Sequence, residues 1–325
     1  MVSSNRIALV ALVACFVAVS AIALGSFTRL MDAGLGCPDW PACYGHFIPV
    51  NSSSSFFVGY KAWSEMIHRY VAGTLSLLIL IIVGMLLYRK NILLAGMLVL
   101  LVVYQIILGA WTVTLKLLPI IVTQHLMGGF LILLTLWWIY LTYRKSCHPC
   151  LRLDDKKPAL LFFVLLGFFM LILQILLGAW TSTHYAALSC PDFPWCKADQ
   201  SISLQSMRDA FSMWTPVGVN YQGGVLPEAV RQIIHMAHRC SALFLTLYLL
   251  FLTIYARALW RSRAIFLKCI IVIWGLLCLQ LSIGLMNVLL KLPLLNAVLH
   301  TVVGGLLLLS FATLIFHLVQ DKKNV

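Results

Sequence analysis

Long apolar runs constrain this chain more than any other feature of its sequence. Runs such as 7–27, 75–87 and 92–110, with their flanks, are long enough to cross a hydrocarbon core of about 30 Å as helices. The chain is 62% hydrophobic and only 10% charged, whereas a soluble domain carries about 25% charged residues. We therefore predict an all-α integral membrane protein in contact with lipid. In such a protein the net charge of +13 reflects topology, and we expect no nucleic-acid partner.

Hydropathy divides the chain into eight predicted transmembrane helices. If the N-terminus is cytoplasmic, the larger share of the 23 Lys and Arg residues lies on the cytoplasmic side, so we predict that both termini are cytoplasmic. The first run is interpreted as a span and not as a cleaved signal peptide, because residues 178–196 resemble the segment that follows it. The predicted spans lie near 7–30, 65–88, 91–114, 121–143, 159–182, 231–256, 264–290 and 295–318.

The chain also repeats itself. Three pairs of segments match in register, and their spacing changes only inside predicted loops. The third pair begins at Gly109 and Gly284, and in both segments a histidine follows sixteen residues later. The other two pairs are GSFTRLMDAGLGCPDWPAC (25–43) with GAWTSTHYAALSCPDFPWC (178–196), and MIHRYVAGTL (66–75) with MAHRCSALFL (236–245).

This duplication predicts two pseudo-symmetric four-helix bundles. Each half crosses the membrane an even number of times, so both have the same orientation and are related by an axis along the membrane normal. We predict an N-terminal bundle at 1–146, a polar cytoplasmic linker at 147–158 and a C-terminal bundle at 159–325.

Four of the nine histidines follow the repeat. His68 matches His238, His125 matches His300, and all four are expected in the first turns of helices that begin at the outer side. An ionisable residue within a span is expensive and by default indicates function. The alternative is a histidine whose ring bonds a carbonyl of a neighbouring helix, but two matched pairs make this explanation less economical.

Each pair of histidines suits a haem. The sequence around them offers no thiolate or second carboxylate to complete a zinc or di-iron shell, whereas a haem supplies four nitrogens and needs one or two axial ligands. Gly128–Gly129 and Gly304–Gly305 follow the second histidine of each pair and allow close approach of a flat ring. The residues thus predict a bis-histidine haem site in each half. The unmatched histidines are predicted to be at the surface or in interfaces: His46, His148, His184 and His317.

One difference separates the two sites. Glu65 precedes His68 by three residues and shares its helix face, whereas the matching position in the other half is His235. This asymmetry predicts chemistry in the N-terminal half, with Glu65 as an acid, base or water-positioning group, and electron transfer in the other. The alternative is that Glu65 only pairs with Arg69. Arg69 and Arg239 could bind haem propionates.

Two cysteine pairs follow the repeat in the outer loops. Cys37 with Cys43 and Cys190 with Cys196 each bracket five residues on the side where disulfides persist, so both pairs look like disulfide-closed lids. A redox role and a purely structural role both remain open. The segment CHPC (147–150) looks like a thiol motif but has no supporting fold around it, and it receives little weight.

These motifs together resemble bacterial haem A synthases. The resemblance is carried, in this order, by GLGCPDWPAC, EMIHRYVAG, LGAWTV, QHLMGG, HMAHR and VLHTVVGG, over nearly the whole chain. It implies oxidation of a methyl group of haem O to the formyl group of haem A through successive O2-dependent hydroxylations. It further implies haem O as substrate between His68 and His125, with Glu65 catalytically important, and haem b between His238 and His300 as an electron relay.

The resemblance also implies a setting. We expect a multi-pass protein of the bacterial cytoplasmic (inner) membrane that receives electrons from a donor the sequence does not identify. A complex with haem O synthase is a hypothesis, and a homo-oligomer is compatible with the sequence. Three rival functions share parts of the pattern: a non-catalytic di-haem b electron-transfer cytochrome, a membrane thiol oxidoreductase that uses the outer cysteines, and a haem transporter.

Overall fold

The protein is all-helical in the part of the chain that the structure describes. The computed structural model describes residues 3–49, 56–144, 157–196, 203–259 and 264–319. Most of the predicted linker 147–158, with CHPC and His148, lies outside these residues. The helices are α1 (Ser4–Leu30), α2 (Phe56–Tyr88), α3 (Ile92–Thr114), α4 (Pro119–Tyr143), α5 (Lys157–Thr183), α6 (Leu204–Ala210), α7 (Glu228–Leu259), α8 (Ala264–Leu289) and α9 (Leu294–Val319).

Eight of these helices are long and apolar enough to cross a membrane, which confirms the all-α class and the eight predicted spans. The prediction was wrong about where α2 begins, because its helix starts at Phe56, well before residue 65. Hydropathy detects only the lipid-embedded part of a helix, and the first turns of α2 contain polar and aromatic residues. The short helix α6, in the outer loop before α7, was not predicted at all.

Helices α1, α4 and α9 form the centre of the molecule. Helix α1 contacts α2, α4 and α9, and α4 contacts α3, α5 and α9. The buried face of α1 is lined by small residues, including Ala11, Ala14 and Ala18. Without a hydrophobic driving force in lipid, helices associate through close van der Waals packing, which small side chains permit. Alanine at these positions therefore places α1 between its neighbours.

Residues at equivalent places in the two halves touch each other near the outer surface. Arg29 donates a hydrogen bond to the carbonyl of Ser182, its counterpart in the repeat, and Tyr185 donates to Asp32, its own counterpart, at 2.6 Å. The Arg29 guanidinium also lies 3.6 Å from the centre of the Tyr185 ring. Burial raises the pKa of Tyr185, so its hydroxyl keeps the proton that it donates. Residues close to a two-fold axis make such contacts, and the pseudo-symmetric arrangement of two bundles stays a prediction.

The turns after α3 and α8 share an unusual backbone. Leu117 and Leu292 have φ angles of 62° and 64°, in the left-handed region that leucine rarely adopts. Their N–H groups donate to the carbonyls of Thr112 and Asn287, at 2.8 and 2.7 Å, and so close the ends of the two helices. The repeated LKL-P segments are thus helix stops from which α4 and α9 begin at the same end of the molecule.

The loop between α5 and α7 reaches across to the first half. Tyr221 is 3% exposed, packs against the end of α3 and the start of α4, and donates its backbone N–H to Lys116 O at 3.1 Å. Gln222 donates to the carbonyl of Asp32 at 2.9 Å. Beside this contact, Trp180 donates its indole N–H to Ala210 at the end of α6. The second outer loop therefore covers part of the outer end of the N-terminal half.

Candidate functional site

The structure brings the four repeated histidines together as two pairs. His68 on α2 faces His125 on α4, and His238 on α7 faces His300 on α9. The expectation that all four lie in first turns was wrong. His125 and His300 lie in the second turns of their helices, but His68 and His238 lie roughly three turns in, because α2 and α7 extend further outward.

The spacing of each pair fits two axial ligands of one iron. The ring centres of His68 and His125 are 6.5 Å apart, and those of His238 and His300 are 6.4 Å apart. Two imidazoles on opposite sides of one metal, each bound at about 2 Å through nitrogen, have ring centres roughly 6 Å apart. The pairs thus already have the separation that a bis-histidine haem requires.

Each histidine ring rests against a glycine of the neighbouring helix. A Cβ atom at Gly25, Gly178 or Gly284 would lie 3.0 Å from Cε1 of its histidine, and one at Gly109 would lie 3.3 Å away. These distances are tighter than ordinary contacts, so a side chain at any of the four positions would displace the ring. The absence of a Cβ therefore sets where each ligand can sit. The contacts are Gly25–His68, Gly109–His125, Gly178–His238 and Gly284–His300.

Several ring nitrogen atoms of these histidines make no hydrogen bond to the residues that the structure describes. The Nδ1 atoms of His68, His125 and His300 are buried without a hydrogen-bond partner in the described part of the chain. Among these residues no three His, Cys, Asp or Glu side chains cluster closely enough to hold a bare metal ion. A donor set of two imidazoles, spaced for one iron and cradled by glycine, fits a haem, which brings its other four ligands. The same two helices that carry His238 and its glycine, α7 and α5, also line an open, largely apolar groove of about 370 Å³.

Three glutamines near the histidines were missed from the sequence. Gln105, Gln174 and Gln280 each donate their side-chain amide to the backbone carbonyl of a site histidine, at 3.1, 3.2 and 3.0 Å respectively. They bond His125, His238 and His300. The signal that could have revealed them is a glutamine four residues before each of three site glycines, in QIILG, QILLG and QLSIG. A polar side chain within a span deserves a functional question.

Glu65 is buried beneath the first outer loop. Its Oε1 accepts a hydrogen bond from Arg69 Nη2 at 2.5 Å, and its Oε2 accepts one from the backbone N–H of Cys37 at 2.9 Å. Only 6% of the Glu65 side chain and 12% of the Arg69 side chain are exposed. The pairing with Arg69, which the sequence left as an alternative role, is therefore present. The same carboxylate also ties the disulfide loop to α2.

Each of the two arginines bonds backbone carbonyls of its own disulfide loop, and two of the three carbonyls are at equivalent positions. Arg69 Nη1 donates to the carbonyls of Asp39, Pro41 and Ala42, at 3.0, 3.2 and 2.6 Å. Arg239 donates to the equivalent carbonyls of Asp192 and Pro194, and to Cys190, at 2.7, 3.4 and 2.6 Å. Where Arg69 meets Glu65, Arg239 donates to the neutral ring of buried His235 at 3.3 Å. A propionate contact for either arginine stays a prediction.

Both cysteine pairs of the outer loops lie within disulfide distance. The Sγ atoms of Cys37 and Cys43 are 2.02 Å apart, and those of Cys190 and Cys196 are 2.22 Å apart. Cys37 and Cys43 are fully buried against Ala62 and Met66 of α2. The first disulfide loop therefore lies directly on the helix that carries Glu65 and His68.

The unmatched histidines have different surroundings. His46 is exposed and His317 is partly buried, whereas His184 is 4% exposed, so a surface position for His184 was wrong. Its ring stacks against Trp180 and bonds the Trp180 carbonyl at 3.0 Å. Burial lowers the pKa of His184, which keeps its ring neutral near pH 7. No motif near His184 indicated that the loop around it is covered.

Comparisons with known proteins identify the family of the chain. The family described as COX15-CtaA, cytochrome oxidase assembly protein, matches residues 8–312. A heme A synthase from Shewanella oneidensis is 41% identical over 316 residues, 93% of this chain and 94% of that protein. Heme A synthases from Bacillus cereus and Bacillus anthracis are 23% identical over 310 residues, 92% of this chain and 89% of theirs. The chain therefore belongs to the COX15-CtaA family of cytochrome oxidase assembly proteins.

Proposed function

We propose that this membrane protein is a haem A synthase that oxidises a methyl group of haem O to the formyl group of haem A. Each hydroxylation places one oxygen atom of O2 on the carbon and reduces the other to water with two electrons and two protons. Two hydroxylations followed by loss of water give the aldehyde. When bound, the haem supplies the iron at which O2 chemistry can attack a methyl C–H bond, and the protein supplies orientation and insulation.

The observation that carries this proposal is the asymmetry between two otherwise similar sites. Both have a histidine pair at the spacing of one iron, but only the N-terminal pair has a carboxylate one turn away, and Glu65 is the one acidic side chain that is buried among the described residues. We assign haem O to His68 and His125, and a permanent haem b to His238 and His300. The C-terminal site then passes electrons from an external donor to the N-terminal site.

The residues around Glu65 suit proton handling under a closed lid. Its Oε2 is held by the Cys37 N–H and its Oε1 by Arg69, so the carboxylate has a fixed direction. Opening of the Cys37–Cys43 loop frees Oε2 to accept or deliver a proton, and closure excludes water from the reacting carbon. In the C-terminal half His235 takes this place, and no carboxylate is required for electron transfer alone.

The membrane setting follows from the same interpretation. We place the protein in the bacterial cytoplasmic membrane with both termini in the cytoplasm, which puts the disulfide loops on the oxidising outer side. A lipophilic haem would reach the N-terminal site from the bilayer. A complex with haem O synthase would shorten that path, and a homo-oligomer is compatible with the exposed apolar faces of the outer helices.

Extraction of haems from membranes that contain the protein beside a source of haem O tests the proposal. We expect haem A with the unaltered chain, and haem O or a hydroxylated intermediate with Glu65→Gln. The matched control is Glu228→Gln, which removes the carboxylate of a more exposed glutamate–arginine pair on α7 and should leave the haem A yield unchanged.

Two outcomes would contradict the proposal at different points. Normal haem A yield from Glu65→Gln would remove Glu65 from the chemistry and leave the synthase standing. If the unaltered chain and both variants all yield only haem B and unchanged haem O, the protein is not a haem A synthase. That result would favour the di-haem electron-transfer cytochrome.

A further inference from the structure

A glutamine side chain donates a hydrogen bond to the backbone carbonyl of three of the four site histidines. Gln105, Gln174 and Gln280 lie four residues before the glycines that cradle His125, His238 and His300. The equivalent residue before Gly25, the glycine that cradles His68, is Ala21 in the segment AIALG. Among the described residues, no side chain donates to the backbone carbonyl of His68.

Space for Gln105 is made on the helix of its histidine. A Cβ atom at Gly128, three residues after His125, would collide with the amide nitrogen of Gln105. A Cβ atom at Gly304 would lie 3.5 Å from the amide nitrogen of Gln280, which is an ordinary contact. A small residue one turn beyond the histidine is thus part of the arrangement at Gln105.

The α1–α2 pair lacks both components of this arrangement. Ser241 lies three residues after His238, and the matching residue after His68 is Val71. In the C-terminal half the larger side chain, Gln174, is on the glycine's helix and the smaller, Ser241, is on the histidine's helix. In the N-terminal half the order is reversed, with Ala21 on the glycine's helix and Val71 on the histidine's helix.

Two of the glutamines, Gln174 and Gln280, contact both the main chain and the ring of their histidines. The amide nitrogen of Gln174 lies 3.2 Å from the carbonyl and 3.1 Å from Nδ1 of His238, and that of Gln280 lies 3.0 Å and 3.3 Å from the carbonyl and a ring nitrogen of His300. An acceptor for the N–H on the other ring nitrogen of a metal-bound imidazole fixes its orientation and strengthens the ligand. The Oε1 atoms of Gln174 and Gln280 are buried without partners in the described structure, so rotation of either amide would supply that acceptor in exchange for the donor bond to the carbonyl.

We infer that these three glutamines position His125, His238 and His300, and that His68, which lacks one, is the ligand through which the N-terminal site exchanges its haem. The inference rests on the proposed function, in which one haem enters and leaves in each catalytic cycle and the other stays. Three anchored ligands hold the permanent haem on both sides and the substrate on one. The fourth ligand, on α2, lets the substrate go.

Haem transfer to apomyoglobin, followed optically, measures this difference in the full-length protein. Loading with protohaem in a His238→Ala/His300→Ala background isolates the N-terminal site. In that background, Ala21→Gln with Val71→Ser should slow haem release by about five- to tenfold, the effect of roughly one net hydrogen bond. The control Ala21→Met with Val71→Ser adds the same length without a donor and should leave the rate within about twofold of the parent protein.

The reciprocal change tests the C-terminal site in a His68→Ala/His125→Ala background. Gln174→Ala with Ser241→Val, and Gln174→Met alone, should both speed haem release by a similar factor and broaden the low-spin optical spectrum. The inference is overturned if Ala21→Gln and Ala21→Met have equal effects, or if Gln174→Met releases haem at the parent rate, because bulk and not the amide would then matter. Failure of both parent backgrounds to bind protohaem would instead overturn the proposed function, and this inference with it.

Discussion

The buried pair of Glu65 and Arg69 gives the sharpest prediction about stability. Glu65→Gln keeps the size of the side chain but removes the charge that neutralises Arg69. Removing one partner of a buried ion pair typically costs 3–5 kcal/mol, because the other charge stays buried and unpaired. Three loop carbonyls continue to hold Arg69, so we expect the lower end, about 3 kcal/mol of unfolding free energy.

The other half of the molecule supplies the reference. Arg239 meets the neutral ring of His235 at 3.3 Å, so His235→Gln replaces one neutral hydrogen bond by another and should cost no more than about 1 kcal/mol. A double-mutant cycle of Glu65→Gln with Arg69→Met should give a coupling energy of about 2 kcal/mol, because the two side chains bond directly.

Unfolding by SDS in mixed micelles, followed by tryptophan fluorescence, measures all four variants under one condition. Equal costs for Glu65→Gln and His235→Gln, or single-variant costs that add within about 0.5 kcal/mol, would refute the reasoning. Glu65 would then be uncoupled from Arg69, and the ordering of the first outer loop would need another explanation.

Three further predictions concern the loops and the cradle. Backbone N–H bonds, led by that of Gly45, lower the pKa of Asp39 below its ordinary value of 3.8. The stabilisation from this carboxylate is therefore full above pH 3.8 and is lost as the pH falls below it, so the protection of the Tyr44 and Gly45 amides against exchange, corrected for the intrinsic rate, should fall only there. Tyr221→Ala should lower the unfolding free energy by about 3 kcal/mol, because a nearly fully buried aromatic ring is lost. An unchanged melting temperature together with unchanged amide exchange in this loop would contradict the docking. Gly178→Ala should displace His238 and lower retained haem at least severalfold, whereas normal haem content and spectrum would show that the cradle is not required.

The sequence predicted the parts of this structure that lipid and duplication enforce. Spans are visible because every backbone group in the bilayer must bond within its own helix, which requires long apolar runs. The histidine pairs were visible because the repeat singles out His68, His125, His238 and His300 from the other histidines, and the structure places them at the predicted partners. The role of each pair as haem ligands stays a prediction until haem is measured.

The parts that escaped prediction depend on contacts between distant segments. A propionate contact of Arg69 stays a prediction, but the loop carbonyls that also bond it belong to residues about thirty positions earlier and carry no sequence signal. His184 looked like a loop residue because nothing in its own segment shows that the loop around Gly224, forty residues later, packs against its carbonyl. Local composition does not show which backbone carbonyls a side chain will bond or which distant segment will bury it. The surroundings of arginines and loop histidines are therefore the hardest to predict from sequence.

The duplication makes each half a control for the other, and three differences beside the histidines lie on one side of the N-terminal site. On the α4 side, Gln105 and Gly109 repeat the amide and the cradle that the C-terminal half has at its equivalent positions. On the α1–α2 side, Ala21, Glu65 and Val71 all differ from their counterparts. If one ligand must stay fixed while substrate, proton and water are exchanged beside the other, changes to the amide, to the carboxylate position and to the residue beyond the ligand belong on a single side, and these three lie there.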